Sequence, residues 1–405
     1  MKELTQEGTP PRLRSLDAYR GLVMLAMASG GLGLPLFVAN LPIEAPHSEL
    51  WSALADQFEH VAWTGCTFWD LIQPSFLFIV GVAMPFSDTK RQEQGQSWGR
   101  RLRHALIRSL VLVALGVFLQ SQGTFDALKR PALNFEFVNV LAQIGLGYTF
   151  VFLVLNRSAW LQLTIALGIL LAHWALFFAY PLPARDIDLQ LLGVEYDDEL
   201  LPGMVAHWNK HTNAAAEFDR WFLNRLPRPA GKPFEFNRGG YTTLNFVPSI
   251  ATMIFGVMAG QWLRSQYRDR DKILWLTLAG AVSIAVGTVL HDAGLCPIVK
   301  RIWTPSWVFY STSWTLWSLA AFYLVIDVFR FRSWTFPLIV VGANSIAMYL
   351  MAQLMKGFVR QNLVRIVGPW PFEGTYGPII EAGAILLVLW LICLYLYVNR
   401  IFIKI

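Results

Sequence analysis

The chain has 405 residues, of which 55% are hydrophobic and only 15% are charged. Soluble domains carry about 25% charged residues, so this composition excludes an ordinary soluble domain. The net charge of +6 does not indicate nucleic-acid binding, because Lys and Arg on the cytoplasmic side of a membrane protein give such an excess without a polyanionic partner.

Long runs without charged residues define the class of protein. A bilayer core needs about 20 apolar residues per helix, and runs of this kind recur along the whole chain. We predict an all-α, polytopic integral membrane protein, with one transmembrane domain over residues 1–405 and about ten transmembrane helices. In chain order the predicted spans are 21–43, 71–87, 109–125, 137–156, 158–184, 239–263, 273–291, 302–326, 333–355 and 382–399.

The distribution of Lys and Arg predicts the orientation of the chain. With the N-terminus inside, the inner segments hold 19 of the 33 Lys and Arg residues and the outer segments hold 14. Seven of those 14 lie in the long loop 185–238, and long loops count little in this rule. We therefore predict that both termini are cytoplasmic (N-in, C-in) and that the protein is a multi-pass protein of the cell membrane.

One sizeable polar insert interrupts the membrane-spanning pattern. It runs over residues 182–237 and contains Trp208, His211 and Trp221 among charged residues. In the predicted orientation this insert faces outward, where a loop of this kind can cap a site.

Residues 58–87, FEHVAWTGCTFWDLIQPSFLFIVGVAMPFS, place titratable groups directly before an apolar span. His60 lies in a stretch that has several carboxylates and no Lys or Arg, and nearby carboxylates favour a basic imidazole. Asp70 and Gln73 are three residues apart and so share one helix face. Without a function, Asp70 is a carboxylate at a helix N-terminus, where the dipole favours it, and His60 is an ordinary loop histidine.

The pattern F-x-H-x-x-W-x-G-x-x-x-x-D-L-I-x-P in this stretch resembles the transmembrane acetyltransferases of the heparan-α-glucosaminide N-acetyltransferase type and their bacterial relatives. Five further segments resemble the same family in the same order along the chain. They are RLRSLDAYRGLVMLAM (12–27), VNVLAQIGLGY (138–148), TTLNFVPSIATMIFGVMAGQWLR (242–264), CPIVKRIWTPSWVFYSTSW (296–314) and FPLIVVGANSIAMYL (336–350).

This resemblance implies an enzyme that takes an acetyl group from cytoplasmic acetyl-CoA and delivers it to an amino sugar on the far side of the membrane. In that family the histidine of H-x-x-W-x-G is catalytic, which corresponds to His60, and the aspartate ten residues later corresponds to Asp70. A positioned imidazole can take the proton of the attacking amine, or it can itself accept the acetyl group. The sequence leaves both routes open. In either route Asp70 would hold the ring tautomer and stabilise an imidazolium.

Three residues are candidates for substrate binding. Trp63 and Gln73 belong to the motif around His60, and Asn40 is the third. Relatives often end the first span with M-x-x-V-N, whereas this chain reads MASGGLGLPLFVAN, so Asn40 is a substitute displaced by several positions. The arginine of the family's V-L-Q-R-I-G-L segment is Gln143 here. Because of these two departures from the family pattern, the identity of the acyl acceptor stays open.

Four further residues are candidates for binding CoA: Asp17, Arg20, Lys300 and Asn344. Asp17 and Arg20 are three residues apart, and an intrahelical ion pair is the alternative interpretation. Lys300 falls on the predicted outer side, so it reaches CoA phosphates only if its loop dips inward. Asn344 lies within a predicted span, where small polar residues more often serve helix packing.

A transporter or flippase of a sugar or a lipid-linked substrate is the alternative function. Such a protein is expected to place paired charges or broken helices near the membrane midplane, whereas the predicted mid-span regions carry almost no charge. The sequence has no P-loop, HExxH or GxSxG motif, and we predict no metal. The expected partners are acetyl-CoA as co-substrate, an amino-sugar or glycan acceptor and membrane lipid, but no nucleic acid. The sequence leaves open whether the protein forms a homodimer. The resemblance to bacterial relatives favours a location in the bacterial inner membrane.

Overall fold

The computed structural model describes residues 13–42, 47–126, 128–184, 188–195, 198 and 200–403. Within these ranges the chain is helical, and its only β pairing is an isolated bridge between Phe125 and Pro131. The all-α prediction is therefore confirmed for the described residues. Ile43, the last residue of the first predicted span, lies outside them.

The described part of the chain contains the following α-helices. They are α1 Arg14–Ser29, α2 Leu34–Ala39, α3 Ser48–Asp56, α4 Ile72–Glu93, α5 Trp98–Gln120, α6 Val140–Val154, α7 Ala159–Ala179, α8 Ala214–Leu223, α9 Phe246–Arg264, α10 Asp269–Asp292, α11 Pro305–Phe322, α12 Phe336–Ala343, α13 Ser345–Leu354, α14 Lys356–Val367 and α15 Gly377–Val398.

Among the described residues, seven helical segments are long and apolar enough to cross a membrane. These are Arg14–Ala39, Trp69–Glu93, Trp98–Gln120, Ala159–Ala179, Thr243–Arg264, Asp269–Asp292 and Gly377–Val398. The count rises to eight if α12 and α13, which are bent by 70° at their junction, form one broken span. The chain is thus a multi-pass membrane protein.

Two of the ten predicted spans form helices that are not both long enough and apolar enough to meet the criterion for crossing a membrane. The α6 helix is apolar but has only 15 residues. The α11 helix is rich in buried Ser and Thr side chains, which lower its mean hydropathy. The count of ten spans and the N-in, C-in orientation therefore stay predictions.

The α4 helix lies at the centre of the bundle and packs along α9. Side chains at Gly81 of α4 and Gly256 of α9 would collide with the backbone carbonyls of Met253 and Phe78, respectively. Small residues of this kind let two transmembrane helices approach closely. The other extensive helix pairs are α1 with α12, α5 with α6, and α10 with α11. Because α4 is buried among these helices, the turn that precedes it lies at one end of the protein core.

The described residues of the insert 182–237 fold onto this end of the bundle. Its α8 helix begins at Asn213, whose side chain accepts hydrogen bonds from two backbone N–H groups of the first turn. Trp208 of the insert is completely buried in a small hydrophobic cluster with Trp63, Phe177 and Val299. The insert therefore covers the turn that carries the functional candidates.

Candidate active site

The turn between α3 and α4 holds the titratable motif in a fixed shape. After α3 ends at Asp56, the chain is irregular until a 3₁₀ turn over Trp69–Leu71 opens α4. Gly65 has a φ of +107°, which is a conformation that favours glycine. Its N–H donates to the Ile298 carbonyl at 3.0 Å. This bond ties the turn to the loop between α10 and α11.

The carboxylate of Asp70 accepts hydrogen bonds on both oxygens and is only 1% exposed. Its Oδ1 lies 2.7 Å from Nδ1 of His60 and 3.1 Å from Nζ of Lys300. Its Oδ2 accepts from the N–H of Val61 at 3.3 Å and from the N–H and hydroxyl of Thr67 at 3.2 and 3.0 Å. Because so many donors converge on one carboxylate, the ionised form is the one that fits.

The imidazole of His60 is oriented by Asp70. An ionised carboxylate only accepts hydrogen bonds, so the 2.7 Å contact requires that Nδ1 carries the proton. The Nε2 atom then keeps its lone pair, as a general base or a nucleophile must. The side chain is 38% exposed, so reactants have access to it. The pair thus has the geometry of a reactive imidazole held in one tautomer.

Lys300 completes a cluster with these two residues. Its Nζ lies 3.1 Å from Asp70 Oδ1 and 3.2 Å from His60 Nδ1, and the residue is 3% exposed. Burial lowers the pKa of Lys300 below its ordinary value, although the charge of Asp70 opposes this shift. We expected Lys300 at the CoA phosphates, whereas the structure brings it to His60 and Asp70.

Two contacts hold the turn of His60 against the rest of this end of the protein. The guanidinium of Arg301 donates to the carbonyls of Val61 at 3.0 Å and Gly239 at 2.8 Å. The indole Nε1 of Trp63 donates to the Trp208 carbonyl at 3.0 Å. Trp63 is almost fully buried, so it anchors the turn to the insert.

His60 opens onto a cavity of about 160 Å³, named here the His60 cavity. Its wall combines apolar side chains with a few polar groups, as is common in small-molecule sites. It is lined by Met24, Met27, His60, Trp69, Ile72, Gln73, Phe76, Val140, Tyr241, Lys300, Tyr349 and Gln353. Gln73, predicted to bind substrate, is thus at this cavity.

A second cavity of about 510 Å³, named here the basic cavity, extends along α4 away from His60. Four cations, Arg20, Lys90, Arg91 and Arg108, are among its lining residues, and none of the described lining residues is acidic. Its other lining residues are Phe76, Val80, Ala83, Met84, Ser87, Gln94, Tyr148, Gly342, Ala343, Ser345, Ile346 and Ile403. Of the predicted CoA-binding residues, Arg20 therefore lies where a charged ligand could reach it.

Asp17 and Asn344 make internal contacts. Asp17 is buried and lies 3.8 Å from Arg20, three residues later on α1, as the alternative interpretation expected. Asn344 stands at the break between α12 and α13. Its side chain donates to the Ile401 carbonyl and accepts from the N–H of Ile403, both at 3.0 Å. Asn344 therefore holds the end of the described chain against one wall of the basic cavity.

Asn40 and Trp63 line neither cavity. Asn40 is an exposed residue at the C-terminus of α2, and Trp63 packs under the insert. Gln143, which replaces the family arginine, is buried and donates to the carbonyls of Phe137 and Thr243. It therefore joins the starts of α6 and α9.

Sequence reasoning did not single out Thr67, Tyr241 or Tyr349. Thr67 lies inside the H-x-x-W-x-G-x-x-x-x-D motif, so its bond to Asp70 could have been anticipated from an Asx-type contact three residues before the helix. Tyr241 and Tyr349 reach the His60 cavity from segments that are far from the motif in sequence. Tyr349 belongs to the family-like segment 336–350, whereas no local signal marks Tyr241.

The fold and the site define a helical, multi-pass membrane protein with a His–Asp–Lys cluster where a central helix begins, in which the Asp and the Lys are buried and the His is partly exposed. No protein-family model matches the sequence. Heparan-alpha-glucosaminide N-acetyltransferase of Homo sapiens is 26% identical over 394 residues, which cover 86% of this chain and 54% of that enzyme. The enzyme of the same name from Mus musculus is 25% identical over 399 residues, which cover 87% of this chain and 55% of that enzyme.

These two matches show a family-level relationship between this chain and heparan-alpha-glucosaminide N-acetyltransferase. The chain spans about half the length of the curated relatives it matches.

Proposed function

We propose that this protein is a membrane-embedded acetyltransferase that moves an acetyl group from acetyl-CoA to the amine of a glucosamine-type sugar. The His60–Asp70 pair carries the proposal, because it fixes an imidazole through Nδ1 and leaves Nε2 free beside a cavity. The reaction class comes from the relatives, which are named as N-acetyltransferases of a glucosaminide.

The basic cavity suits the acyl donor. CoA carries a diphosphate and a 3′-phosphate, and Arg and Lys side chains are the usual partners of such groups. Arg20, Lys90, Arg91 and Arg108 supply four cations around one cavity. The α13 helix also begins at this cavity with Ser345, and the N–H groups of a helix N-terminus favour anions.

The two cavities suggest a route for the acetyl group through the protein. In the N-in orientation, the Lys90 end of α4 is cytoplasmic and the His60 end lies toward the opposite face. A CoA molecule bound by its phosphates in the basic cavity would extend its thioester arm along α4. The acetyl group would then reach His60 while the nucleotide part stays on the cytoplasmic side.

His60 serves the transfer through Nε2. In the direct route, the amine attacks the thioester carbonyl carbon while Nε2 takes the amine proton. A C–N bond forms, the C–S bond breaks, and the proton passes from the imidazolium to the sulfur, which gives the amide and free CoA thiol. In the two-step route, Nε2 attacks the carbonyl first and the thiolate leaves. The amine then displaces the imidazole, and its proton neutralises the thiolate.

Asp70 assists both routes because each makes the imidazole ring positive. A carboxylate that is itself buried and lies 2.7 Å from Nδ1 stabilises an imidazolium or an acetyl-imidazolium. In the resting site, the ammonium of Lys300 balances the charge of Asp70 at 3.1 Å. The cluster therefore needs no positive charge on the imidazole before the reaction begins.

The acceptor approaches from the side of the insert in this proposal. His60 is the most exposed member of the cluster, at 38%, and the insert over residues 182–237 lies against the same end of the bundle through Trp208 and Trp63. Gln73 and Tyr241 offer hydrogen-bonding groups in the His60 cavity. Such groups match the hydroxyls and the amine of an amino sugar.

A reconstitution experiment tests the proposal. The purified full chain in proteoliposomes is given isotope-labelled acetyl-CoA and glucosamine, and the sugar inside and outside the vesicles is analysed by mass spectrometry. We expect N-acetylglucosamine that carries the label. Accumulation of unmodified glucosamine inside proteoliposomes, with no labelled product, would contradict the proposal and support the transporter alternative.

A further inference from the structure

The His60 cavity and the basic cavity follow one another along the same helices. On α1, Arg20 lines the basic cavity and Met24, one turn later, lines the His60 cavity. On α13, Ser345 lines the basic cavity and Tyr349, one turn later, lines the His60 cavity. The boundary between the two cavities therefore lies between adjacent turns of these helices.

On α4 the boundary falls on a single side chain. Val80 lines the basic cavity, Gln73 lines the His60 cavity, and Phe76 between them lines both. Among the described residues, Phe76 alone is common to the two linings. Its side chain is 5% exposed, so its ring fills the space where the cavities meet.

The neighbours of Phe76 at the boundary differ in how firmly they are held. The hydroxyl of Tyr349 donates to Oδ1 of Asn139 at 3.1 Å, which fixes the tyrosine as a wall. Met24 is a flexible thioether that adapts readily to changes in packing. Phe76 itself has no polar atom to tether it. A ligand that passes from one cavity to the other therefore displaces Phe76 and Met24 rather than Tyr349.

We propose that Phe76 is the gate through which the thioester reaches His60, and that its ring limits the transferred acyl group to short chains. This inference rests on the proposed acetyl transfer and adds its acyl selectivity. With the ring in place, the acyl group must fit the 160 Å³ of the His60 cavity. Without the ring, that cavity joins the 510 Å³ of the basic cavity, and longer chains gain room.

An apolar gate also meets a requirement of the membrane. A continuous passage lined by Arg20, Lys90, Arg91 and Arg108 would offer anions a path across the bilayer. A narrow hydrophobic constriction stops such conduction because water does not fill it. Phe76 closes the passage when no acyl chain occupies it.

The test measures acyl-chain selectivity in the full-length protein. Wild type, Phe76→Ala and Phe76→Leu are assayed with acetyl-, propionyl-, butyryl- and hexanoyl-CoA and with glucosamine as acceptor. One methylene in an apolar pocket changes kcat/KM by roughly 10-fold or more. We therefore expect the hexanoyl-to-acetyl ratio of kcat/KM to rise at least about tenfold in Phe76→Ala. The rise in Phe76→Leu should be smaller.

Phe78→Leu is the matched control. Phe78 lies on the same helix, is fully buried and lines neither cavity, so its substitution should leave the ratio unchanged. If Phe76→Ala does not fold, the test uses Phe76→Leu and Phe76→Trp instead. The hexanoyl-to-acetyl ratio of kcat/KM should then be highest with Leu at position 76, intermediate with the wild-type Phe and lowest with Trp. An unchanged ratio in folded variants that still transfer acetyl groups would overturn the gate. Absence of acetyl transfer by the wild type would instead refute the proposed function, and the gate with it.

Discussion

The Nζ atom of Lys300 lies 3.1 Å from Oδ1 of Asp70, although 230 residues separate the two in the chain. The loop before α11 thus delivers a cation to the turn before α4, and both side chains are almost completely buried. An ion pair in such a place contributes little net stability when intact, but removal of one partner leaves an uncompensated buried charge.

Lys300→Met should destabilise the protein. Loss of the ammonium leaves Asp70 buried without its cation, and breaking a buried pair in this way costs about 3–5 kcal/mol. Thermal unfolding in detergent, followed by intrinsic fluorescence, would show a lower Tm. Lys232→Met is the control, because Lys232 is exposed and its loss should leave the Tm nearly unchanged. Equal Tm values for wild type and Lys300→Met would show that the pair is not formed.

Asp70→Asn should impair transfer while leaving acetyl-CoA binding intact. An asparagine can present its amide nitrogen to Nδ1 of His60, which reverses the ring tautomer and occupies Nε2 with a proton. We expect kcat to fall by about 10²–10⁴-fold. Steady-state kinetics gives the fall in kcat, and calorimetric titration with acetyl-CoA shows whether binding persists. A loss of less than tenfold would argue against an orienting role for Asp70.

Arg91→Gln and Arg108→Gln should weaken the interaction with acetyl-CoA. Both cations line the basic cavity, and a hydrogen bond to a charged group is worth about 1.5–3 kcal/mol. The KM for acetyl-CoA should therefore rise by about tenfold or more, with kcat little changed. Arg157→Gln is the control, because Arg157 is exposed and lines neither cavity. A uniform effect of all three substitutions would place the phosphates elsewhere.

Asp219 in α8 makes the stability of the insert depend on pH. Burial raises the pKa of Asp219 from 3.8 to about 7, a shift that Thr243 hydrogen bonds oppose and Glu136 reinforces. The folded chain therefore holds a proton that the unfolded chain releases, so this contribution to stability is present below pH 3.8 and is lost as the pH rises through 7.

The corresponding experiment compares wild type with Asp219→Asn. The variant keeps an acceptor for the N–H of Thr243, which donates to Asp219 at 2.9 Å in the wild type, but it cannot ionise. Between pH 5 and pH 8, on either side of the raised pKa of about 7, its Tm should fall less than that of the wild type. Parallel Tm profiles would show that Asp219 does not titrate in this range.

Local sequence patterns were sufficient to predict where the helices form and to identify His60 and Asp70 as part of the site. Charge-free runs predict where helices form because the bilayer demands them, and each of the predicted spans contains a helix in the structure. His60 and Asp70 lie within one short motif, so their contact depends mainly on a local turn. The bend at Asn344 was not predicted, because only the neighbouring polar residues Asn344 and Ser345 interrupt an apolar run there.

Contacts between residues that are far apart in the sequence could not be predicted from local patterns. The sequence predicts a contact between Lys300 and CoA phosphates only if its loop dips inward, whereas the packing of that loop against Gly65 brings Lys300 to Asp70. Nothing in the local sequence indicates that Arg91 and Arg108 line a common site. Their position at a cavity depends on how α5 and α6 pack beside α4. Asn40 was chosen from a family position, and the end of α2 leaves it exposed.

His60→Ala tests the central claim most directly. The variant and the wild type are each incubated with isotope-labelled acetyl-CoA and glucosamine, and both acetyl-CoA binding and labelled N-acetylglucosamine are measured. We expect His60→Ala to bind acetyl-CoA as the wild type does, since His60 lines only the smaller cavity, and to form no product above the uncatalysed rate. Product formation by His60→Ala at the wild-type rate would contradict the account.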